Sequence, residues 1–214
     1  FAGIDVFDIE IDENDPDKLV DIIASLEPTF GGINLEDIKA PECFIVERKL
    51  RERMKIPVFH DDQHGTSIIV GAALVNALVV VGKKIEDIRV ATTGAGAAGI
   101  SCLDMLVALG VKPEHILAFD RHGVLHSERT DLDPDKQRYA RDTKARTLAE
   151  IVEGADVFLG LSAGGILKPE MVATMAARPV IFALANPNPE ITPEEAKAVR
   201  PDCIMVTCRS DYPN

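Results

Sequence analysis

Two pairs of adjacent acidic residues carry side chains that could bind a metal ion. One pair is Glu36 and Asp37 and the other is Asp61 and Asp62, and each follows a short apolar segment. Adjacent carboxylates repel each other unless a cation or water relieves the charge. Oxygen ligands that leave coordination positions open suit Mg²⁺ or Mn²⁺. The pattern therefore favours a divalent-metal site; the alternative is that these acids are solvated turn residues, like most of the 35 acids in the chain.

A glycine-rich loop with the sequence GAGAAG occupies residues 94–99. It follows a predicted strand and opens a predicted helix, which is the context in which this pattern binds a dinucleotide. Glycine permits a tight turn at Gly94, close approach of a pyrophosphate at Gly96 and close helix packing at Gly99. The next predicted strand ends at Asp120, where a carboxylate can accept hydrogen bonds from a ribose hydroxyl. The predicted cofactor-binding residues are Gly94, Ala95, Gly96, Ala97, Ala98, Gly99 and Asp120.

The residues near Asp120 leave the choice between NAD and NADP open. A carboxylate at this position favours the free 2′-hydroxyl of NAD. However, Arg121 and His122 follow directly, and Lys144 or Arg146 could return to meet the 2′-phosphate of NADP. The local sequence therefore predicts a nicotinamide dinucleotide without selecting one of the two.

The order of the predicted elements places these residues at the ends of strands. Strands and helices alternate along the chain, which is the pattern of a mainly parallel α/β sheet. We expect a partial α/β domain that binds metal and substrate over residues 1–60, and a doubly wound, Rossmann-type NAD(P)-binding domain over residues 61–214. The polar residues 123–146 are expected to form a surface excursion. Predicted strands span residues 3–9, 29–35, 55–59, 88–92, 116–120, 156–161, 180–185 and 203–208, and predicted helices span residues 16–26, 41–53, 66–82, 97–109, 147–153, 169–177 and 193–199.

The composition is typical of a globular protein and disfavours two classes of partner. Hydrophobic residues make up 46% of the chain and charged residues 27%, and the longest apolar stretch is too short to predict a membrane span. A net charge of −12 disfavours a nucleic-acid partner, because phosphate binding needs a basic surface. The four cysteines form no CxxC pair, which favours a reduced, cytoplasmic setting.

Four sequence segments, taken in their order and spacing, resemble the bacterial malic enzymes. They are LED at residues 35–37, FHDDQHGT at residues 59–66, the GAGAAG loop and LANPNPEIT at residues 184–192. The opening FAGIDVFDIEIDENDPDK and the run ARTLAEIVEGADVFLGLSAGGILKPEM fit as well, so the resemblance covers nearly the whole chain. It implies oxidative decarboxylation of malate to pyruvate and CO₂ with reduction of NAD(P), and it leans towards NADP.

The resemblance also implies roles for individual residues. Glu36, Asp37 and Asp62 would hold the divalent metal, with Asp61 as a neighbouring carboxylate in the substrate pocket. Asn186 would lie beside the nicotinamide and the substrate. In the family the catalytic base is a lysine and the acid is a tyrosine, and both lie upstream of the segment that this chain matches. We therefore expect the chain to be the middle of a longer, homo-oligomeric protein whose small-molecule ligands are malate and pyruvate.

Two alternatives compete with this interpretation. The segment HDDQH at residues 60–64 has histidines four residues apart, as in the helical zinc motif HExxH of metalloproteases. If a helix began before His60, both imidazoles could share one face and bind Zn²⁺. The acid would be aspartate where that motif has glutamate, one methylene shorter. The second alternative is a nucleotide-binding fragment that keeps the cofactor pocket but performs no chemistry.

Overall fold

The computed structural model describes residues 3–208 and divides the chain into two compact units. The first unit ends at Asp61 and the second begins at Asp62. Both units alternate β-strands with α-helices along the chain. The predicted α/β class is confirmed.

The first unit combines two helices with a pair of short strands. Its elements are α1 (Pro16–Ala24), β1 (Ile33–Leu35), α2 (Glu42–Arg53) and β2 (Val58–His60). Helix α1 begins where the Asp15 carboxylate accepts hydrogen bonds from the backbone N–H groups of Asp17 and Lys18, which satisfies donors that the helix itself leaves unpaired. The apolar core of this unit contains Val20, Ile23, Leu35, Val46, Leu50 and Met54.

Strands β1 and β2 run parallel and are in register along their whole length. Ile33 lies opposite Val58, and Leu35 lies opposite His60. Because the strands are parallel, the residues that follow them leave at the same edge of the two-stranded sheet. Both predicted acidic pairs therefore begin at one edge.

The predicted strand over residues 3–9 is wrong. These residues adopt no strand in the structure, and the side chains of Ile4, Val6 and Phe7 are largely exposed. Alternating apolar residues become a strand only when a neighbouring strand pairs with them and a core covers one face. Among the described residues, no strand pairs with this segment.

In the described part of the second unit, six strands form one sheet. They are β3 (Val90–Thr93), β4 (Ile116–Asp120), β5 (Gly123–Val124), β6 (Val157–Gly160), β7 (Val180–Ala183) and β8 (Ile204–Thr207). Their order in the sheet is β5-β4-β3-β6-β7-β8, and every neighbouring pair is parallel except β4 with β5. Continuous apolar runs such as VFLG in β6 suit strands that are covered on both faces. The predicted doubly wound, Rossmann-type sheet is confirmed.

Long and short helices pack with this sheet. The long helices α3 (Thr66–Val81) and α4 (Ala97–Leu109) pack against each other. The short α5 (Pro134–Gln137) lies between β5 and β6 in the chain, and α6 (Leu148–Val152), α7 (Pro169–Ala173) and α8 (Pro193–Val199) are also short. An apolar core joins the last three helices to the sheet through Ile151, Phe158, Val172, Ile181 and Ala196. Thr192 and Glu195 form a capping box at the start of α8.

The predicted surface excursion over residues 123–146 is partly built into the core. Val124 and Leu125 are buried, and the Leu125 N–H donates to the Ala118 carbonyl at 2.7 Å, which continues the β4–β5 pairing. Tyr139 is also buried, and its hydroxyl donates to the Asp104 carboxylate on α4. The polar composition of this segment gives no indication of these few apolar contacts.

Helix α3 is unusually apolar. Together with the turn before it, it forms the one helix in residues 3–208 that is long and apolar enough to cross a membrane by length and composition alone; 39% of its most apolar window is buried. The core helix of a soluble protein passes the same test. Val70, Leu74 and Leu78 are buried, whereas Val79 and Val80 are exposed. The expectation that the chain spans no membrane stays a prediction.

We predict that Phe158→Ala destabilises the second unit strongly. The Phe158 side chain is 0% exposed on the central strand β6, so truncation leaves a cavity that costs about 3–5 kcal/mol of unfolding free energy. Val80→Ala is the matched control, because Val80 is 72% exposed and should change stability by less than about 0.5 kcal/mol. Urea unfolding of both variants measures the difference, and equal losses would contradict the assigned core.

Candidate functional site

The centre of the six-stranded sheet contains the change of direction at which α/β proteins bind ligands. From β3 the chain continues through α4 to β4 on one side, and from β6 it continues through α7 to β7 on the other side. Ligands bind beyond the carboxyl ends of strands at such a point. Residues 94–99, the glycine loop, follow β3 there, and Ser162 follows β6.

Two glycines in the glycine loop are required by packing. Gly94 has a left-handed φ of 93°, and a Cβ atom on it would lie 2.2 Å from the Leu161 carbonyl oxygen. A Cβ atom on Gly99 would lie 1.9 Å from the carbonyl oxygen of Gly94. The loop therefore folds back on itself and touches the backbone at the end of β6.

Gly96 differs, because the space above it is open. It is exposed, and a Cβ atom on it would meet nothing within 4 Å. Gly96 is also the N-cap of α4 and provides no side-chain hydrogen bond to the first turn of the helix. Backbone N–H groups at an uncapped helix start can bind a phosphate. Ala95 is buried beneath this turn, and Ala97 and Ala98 are partly exposed. The loop therefore fits a dinucleotide pyrophosphate.

Asp120 lies at the end of β4, as predicted, and it is held in an ion pair. Its carboxylate is bound by two nitrogens of Arg129, at 2.8 and 3.2 Å, and by the His122 N–H at 2.9 Å. Lys136 Nζ lies 3.5 Å away. Burial raises the pKa of Asp120, but the hydrogen bonds and charges of these neighbours outweigh it and hold the pKa below its usual value. The negative charge at the predicted ribose position is therefore compensated from within the chain.

The cations proposed for a 2′-phosphate are partly engaged elsewhere. The Arg146 guanidinium contacts Glu128 at 2.7 Å, and the Arg121 side chain donates to the His122 ring at 3.0 Å. These contacts neither select NAD nor exclude NADP. The preference between the two cofactors stays a prediction.

Asn186 is exposed and lies three residues after β7. The Leu184 N–H donates to the Gly160 carbonyl at 3.1 Å, so the pairing of β6 and β7 extends past the strands. Asn186 therefore leaves the sheet next to the end of β6. The glycine loop, Ser162 and Asn186 follow three neighbouring parallel strands at their carboxyl ends.

The predicted metal ligands are exposed. Glu36 and Asp37 follow β1 and Asp61 follows β2, at the shared edge of the two parallel strands. Asp37 has a left-handed φ of 56°, a backbone strain that often accompanies function. Asp62 is also exposed and is the first residue of the second unit. Within residues 3–208, no three His, Cys, Asp or Glu side chains are grouped closely enough to hold a metal ion. The oxygen donors suit Mg²⁺ or Mn²⁺ in type, and the complete ligand set stays a prediction.

The zinc hydrolase alternative receives no support. His60 belongs to strand β2, and His64 lies in a single π-helical turn at Asp61–Gly65, so the two do not share an α-helical face. His60 is fully buried, and neither of its ring nitrogens hydrogen-bonds to a described residue. The HExxH geometry is therefore not formed.

Sequence reasoning missed two residues of this region. Arg129 compensates Asp120, and the buried Glu190 accepts hydrogen bonds from backbone groups after β6 and β7. Arg129 lies in the polar excursion, where nothing in the local sequence links it to Asp120. An acid between Pro189 and Ile191 was the available signal for Glu190, because a charge flanked by apolar residues is a candidate for burial with hydrogen-bond partners.

Two protein-family descriptions match the chain. Residues 63–212 match "Malic enzyme, NAD binding domain", and residues 7–51 match "Malic enzyme, N-terminal domain". The first match covers more than half of the chain and contains the glycine loop, Asp120 and Asn186.

Individual proteins give the same result. The NADP-dependent malic enzyme of Haemophilus influenzae is 65% identical, over 100% of this chain and 29% of the relative. An NAD-dependent malic enzyme of Rhizobium meliloti is 60% identical, over 100% of this chain and 28% of the relative. The crystal structure of the NAD-dependent malic enzyme of Thermotoga maritima has a TM-score of 0.94 and 47% identity, over 100% of this chain and 58% of that one. The chain thus spans less than a third of the length of these two curated relatives.

We predict that two alanine substitutions in the glycine loop affect different properties, one the stability of the fold and the other the affinity for the cofactor. Gly94→Ala should lower the unfolding free energy by at least about 2 kcal/mol, because its Cβ collides with Leu161 and its φ is strained. Gly96→Ala should leave stability within about 0.5 kcal/mol of the wild type. It should raise the Kd for NAD or NADP about tenfold, because its methyl group occupies the phosphate space. Thermal unfolding and cofactor titration measure both effects, and unchanged cofactor affinity in Gly96→Ala would contradict the pyrophosphate position.

We predict that Arg129→Ala destabilises the second unit by about 3 kcal/mol near neutral pH, because the buried Asp120 carboxylate loses its guanidinium partner. The lowered pKa of Asp120 makes this stability present above the ordinary pKa of aspartate and lost as the pH falls. The difference from wild type should therefore shrink at acidic pH. Arg146→Ala is the control, since its exposed pair with Glu128 is worth about 0–1 kcal/mol. Urea unfolding across pH tests this, and a pH-independent difference would argue against it.

Proposed function

Because the chain belongs to the malic enzyme family, we propose that it forms the dinucleotide- and metal-binding part of an enzyme that oxidatively decarboxylates malate to pyruvate and CO₂. The proposal depends most on one observation: the GAGAAG loop lies at the central change of direction of the sheet, with open space above Gly96. An enzyme of this kind needs a nicotinamide dinucleotide at that place. The whole reaction is proposed for a longer protein that contains this segment, and not for the 214 residues alone.

Residues of the second unit would bind and orient the dinucleotide. The N–H groups at the start of α4 would hold the pyrophosphate over Gly96. The ribose would lie towards Asp120, whose compensated charge tolerates NAD or NADP. The nicotinamide would lie towards Ser162 and Asn186, which leave neighbouring strands. Bound in this way, the nicotinamide supplies the hydride acceptor for the oxidation of malate.

The acidic residues after β1 and β2 would bind the divalent cation. Glu36, Asp37 and Asp62 would provide carboxylate ligands for Mg²⁺ or Mn²⁺, and Asp61 would face the substrate. When bound, the cation supplies a Lewis acid that polarises the oxygens of malate and stabilises negative charge during loss of CO₂. The parallel pairing of β1 and β2 supports this assignment, because both acidic pairs begin at the same edge of the two-stranded sheet.

The proposed chemistry also needs a proton acceptor for the malate hydroxyl and a proton donor for the product. The family resemblance assigns these roles to a lysine and a tyrosine outside the matched segment. Tyr139 of this chain does not replace the tyrosine, because its hydroxyl is bound to Asp104 within the second unit. The chain therefore contributes binding and orientation in this proposal.

We predict that Asp62→Ala lowers Mn²⁺ affinity at least about tenfold, because it removes a direct ligand. Asp87→Ala is the matched control, since Asp87 is an exposed aspartate three residues before β3 and belongs to neither acidic pair. Mn²⁺ titration by electron paramagnetic resonance measures both proteins. Equal affinity in the two variants would refute the ligand assignment.

The function itself is tested in a full-length enzyme that contains this segment. We expect pyruvate to form from malate only with Mn²⁺ or Mg²⁺ and with NAD or NADP present. If pyruvate forms with neither NAD nor NADP, the proposal is overturned. Zinc-dependent hydrolysis in place of malate oxidation would instead support the zinc hydrolase alternative.

A further inference from the structure

One buried carboxylate connects the loops that follow β6 and β7. The Glu190 side chain is 0% exposed. Its Oε1 accepts a hydrogen bond from the Ser162 N–H at 3.0 Å, and its Oε2 accepts one from the Ala185 N–H at 3.0 Å. Ser162 belongs to the loop after β6 and Ala185 to the segment after β7. A single side chain therefore fixes the spacing of two loops at the candidate cofactor site.

The backbone around Glu190 strengthens this connection. The Leu167 N–H donates to the Glu190 carbonyl oxygen at 3.1 Å. A Cβ atom on Gly164 would lie 2.8 Å from the Cβ atom of Asn188, so the two loops are also in close contact. The loops behave as one hydrogen-bonded unit.

The same unit is joined to the glycine loop. The Ser162 hydroxyl donates to the Thr93 hydroxyl oxygen at 3.0 Å, and Thr93 is the last residue of β3, directly before the glycine loop. A line of direct contacts therefore runs from the glycine loop through Ser162 to Glu190, and from Glu190 to the residue before Asn186. Its two ends are the loops assigned above to the pyrophosphate and the nicotinamide.

The space around Glu190 is shaped for its carboxylate. A Cβ atom on Gly160 would lie 2.4 Å from the Cδ atom of Glu190. The Glu190 carboxylate therefore fits beside β6 only because residue 160 is glycine. Burial raises the pKa of Glu190, and the N–H groups of Ser162 and Ala185 oppose that shift without cancelling it. Burying a carboxylate is costly, so a residue that only filled this space would more favourably be apolar or neutral.

We propose that Glu190 is a positioning residue of the dinucleotide site, which holds the Asn186 segment at a fixed distance from the glycine loop. The inference rests on the proposed function, because it assumes that the two loops bind opposite ends of one cofactor. Glu190 touches neither cofactor nor substrate in this role. It preorganises the loops, so that cofactor binding does not have to order them.

The pH dependence of stability separates this role from simple packing. Because the pKa of Glu190 is raised, the folded chain binds this proton more tightly than the unfolded chain. The stability from this group is complete below the ordinary pKa of glutamate and is lost as the pH rises through the raised pKa. Glu190→Gln removes that loss at neutral pH, but its amide can accept only one of the two backbone N–H groups. We expect stability to change little and loop position to change clearly.

The first test compares cofactor binding in two isosteric variants of the full chain. We expect Glu190→Gln to raise the Kd for NAD⁺ about tenfold, with cooperative unfolding retained. Glu194→Gln, four residues along the chain at an exposed position, should bind NAD⁺ like the wild type. If Glu190→Gln binds like the wild type, the inference is overturned while the proposed function stands. If the wild-type chain binds neither NAD⁺ nor NADP⁺, both fail.

The second test uses only the wild-type chain, so it decides the matter even if Glu190→Gln does not fold. The amide proton shifts of Ser162 and Ala185 should titrate together, with a midpoint above the ordinary pKa of glutamate. NAD⁺ carries no phosphate monoester to titrate in this range, so its affinity should fall with the same midpoint as the carboxylate becomes protonated. Amide shifts that titrate while NAD⁺ affinity stays constant would overturn the inference.

Discussion

The backbone contact between the glycine loop and the end of β6 is the constraint on which the second unit depends. Gly94 meets the Leu161 carbonyl with no space for a side chain, and the Leu161 N–H donates to the Thr93 carbonyl at 2.8 Å. Main chain therefore packs directly on main chain where two parallel strands end. This contact places the start of α4, and with it the free N–H groups, at a position that hardly depends on surrounding side chains. The proposed phosphate site is in this sense a property of sheet geometry.

Two acids near this contact have opposite electrostatic environments. Asp120 is surrounded by cations: Arg129, which also binds Asp131, contacts both its carboxylate oxygens, and Lys136 Nζ lies 3.5 Å away. Glu190 is surrounded by backbone N–H groups, which orient its charge without neutralising it. The first arrangement anchors the polar excursion to the end of β4. The second ties together loops that are remote in sequence, at a cost in stability that suits a role in binding.

The sequence predicted the fold where local chemistry and tertiary packing agree. The glycine loop, α4 and β4 have the predicted boundaries because glycine spacing and apolar runs are decided locally. The segment over residues 3–9 failed because alternation alone supplies no pairing partner. The contacts of Arg129 and Glu190 were not predictable, since each joins segments that only the folded sheet brings together. The acidic pairs were located correctly at the ends of β1 and β2, but their mutual geometry depends on more than strand order.

The helices that pack with the sheet differ greatly in length. Helices α3 and α4 have 16 and 13 residues, whereas α6, α7 and α8 have 5, 5 and 7. Helices of one or two turns have almost no stability of their own, so α6 to α8 persist only through the core they share with the sheet. Their region should therefore open as one cooperative block, at lower free energy than α3 and α4. Glu190 and Asn186 lie between β7 and α8. The nicotinamide end of the proposed site therefore belongs to the block with the lower free energy of opening, and the pyrophosphate end belongs to the more stable part.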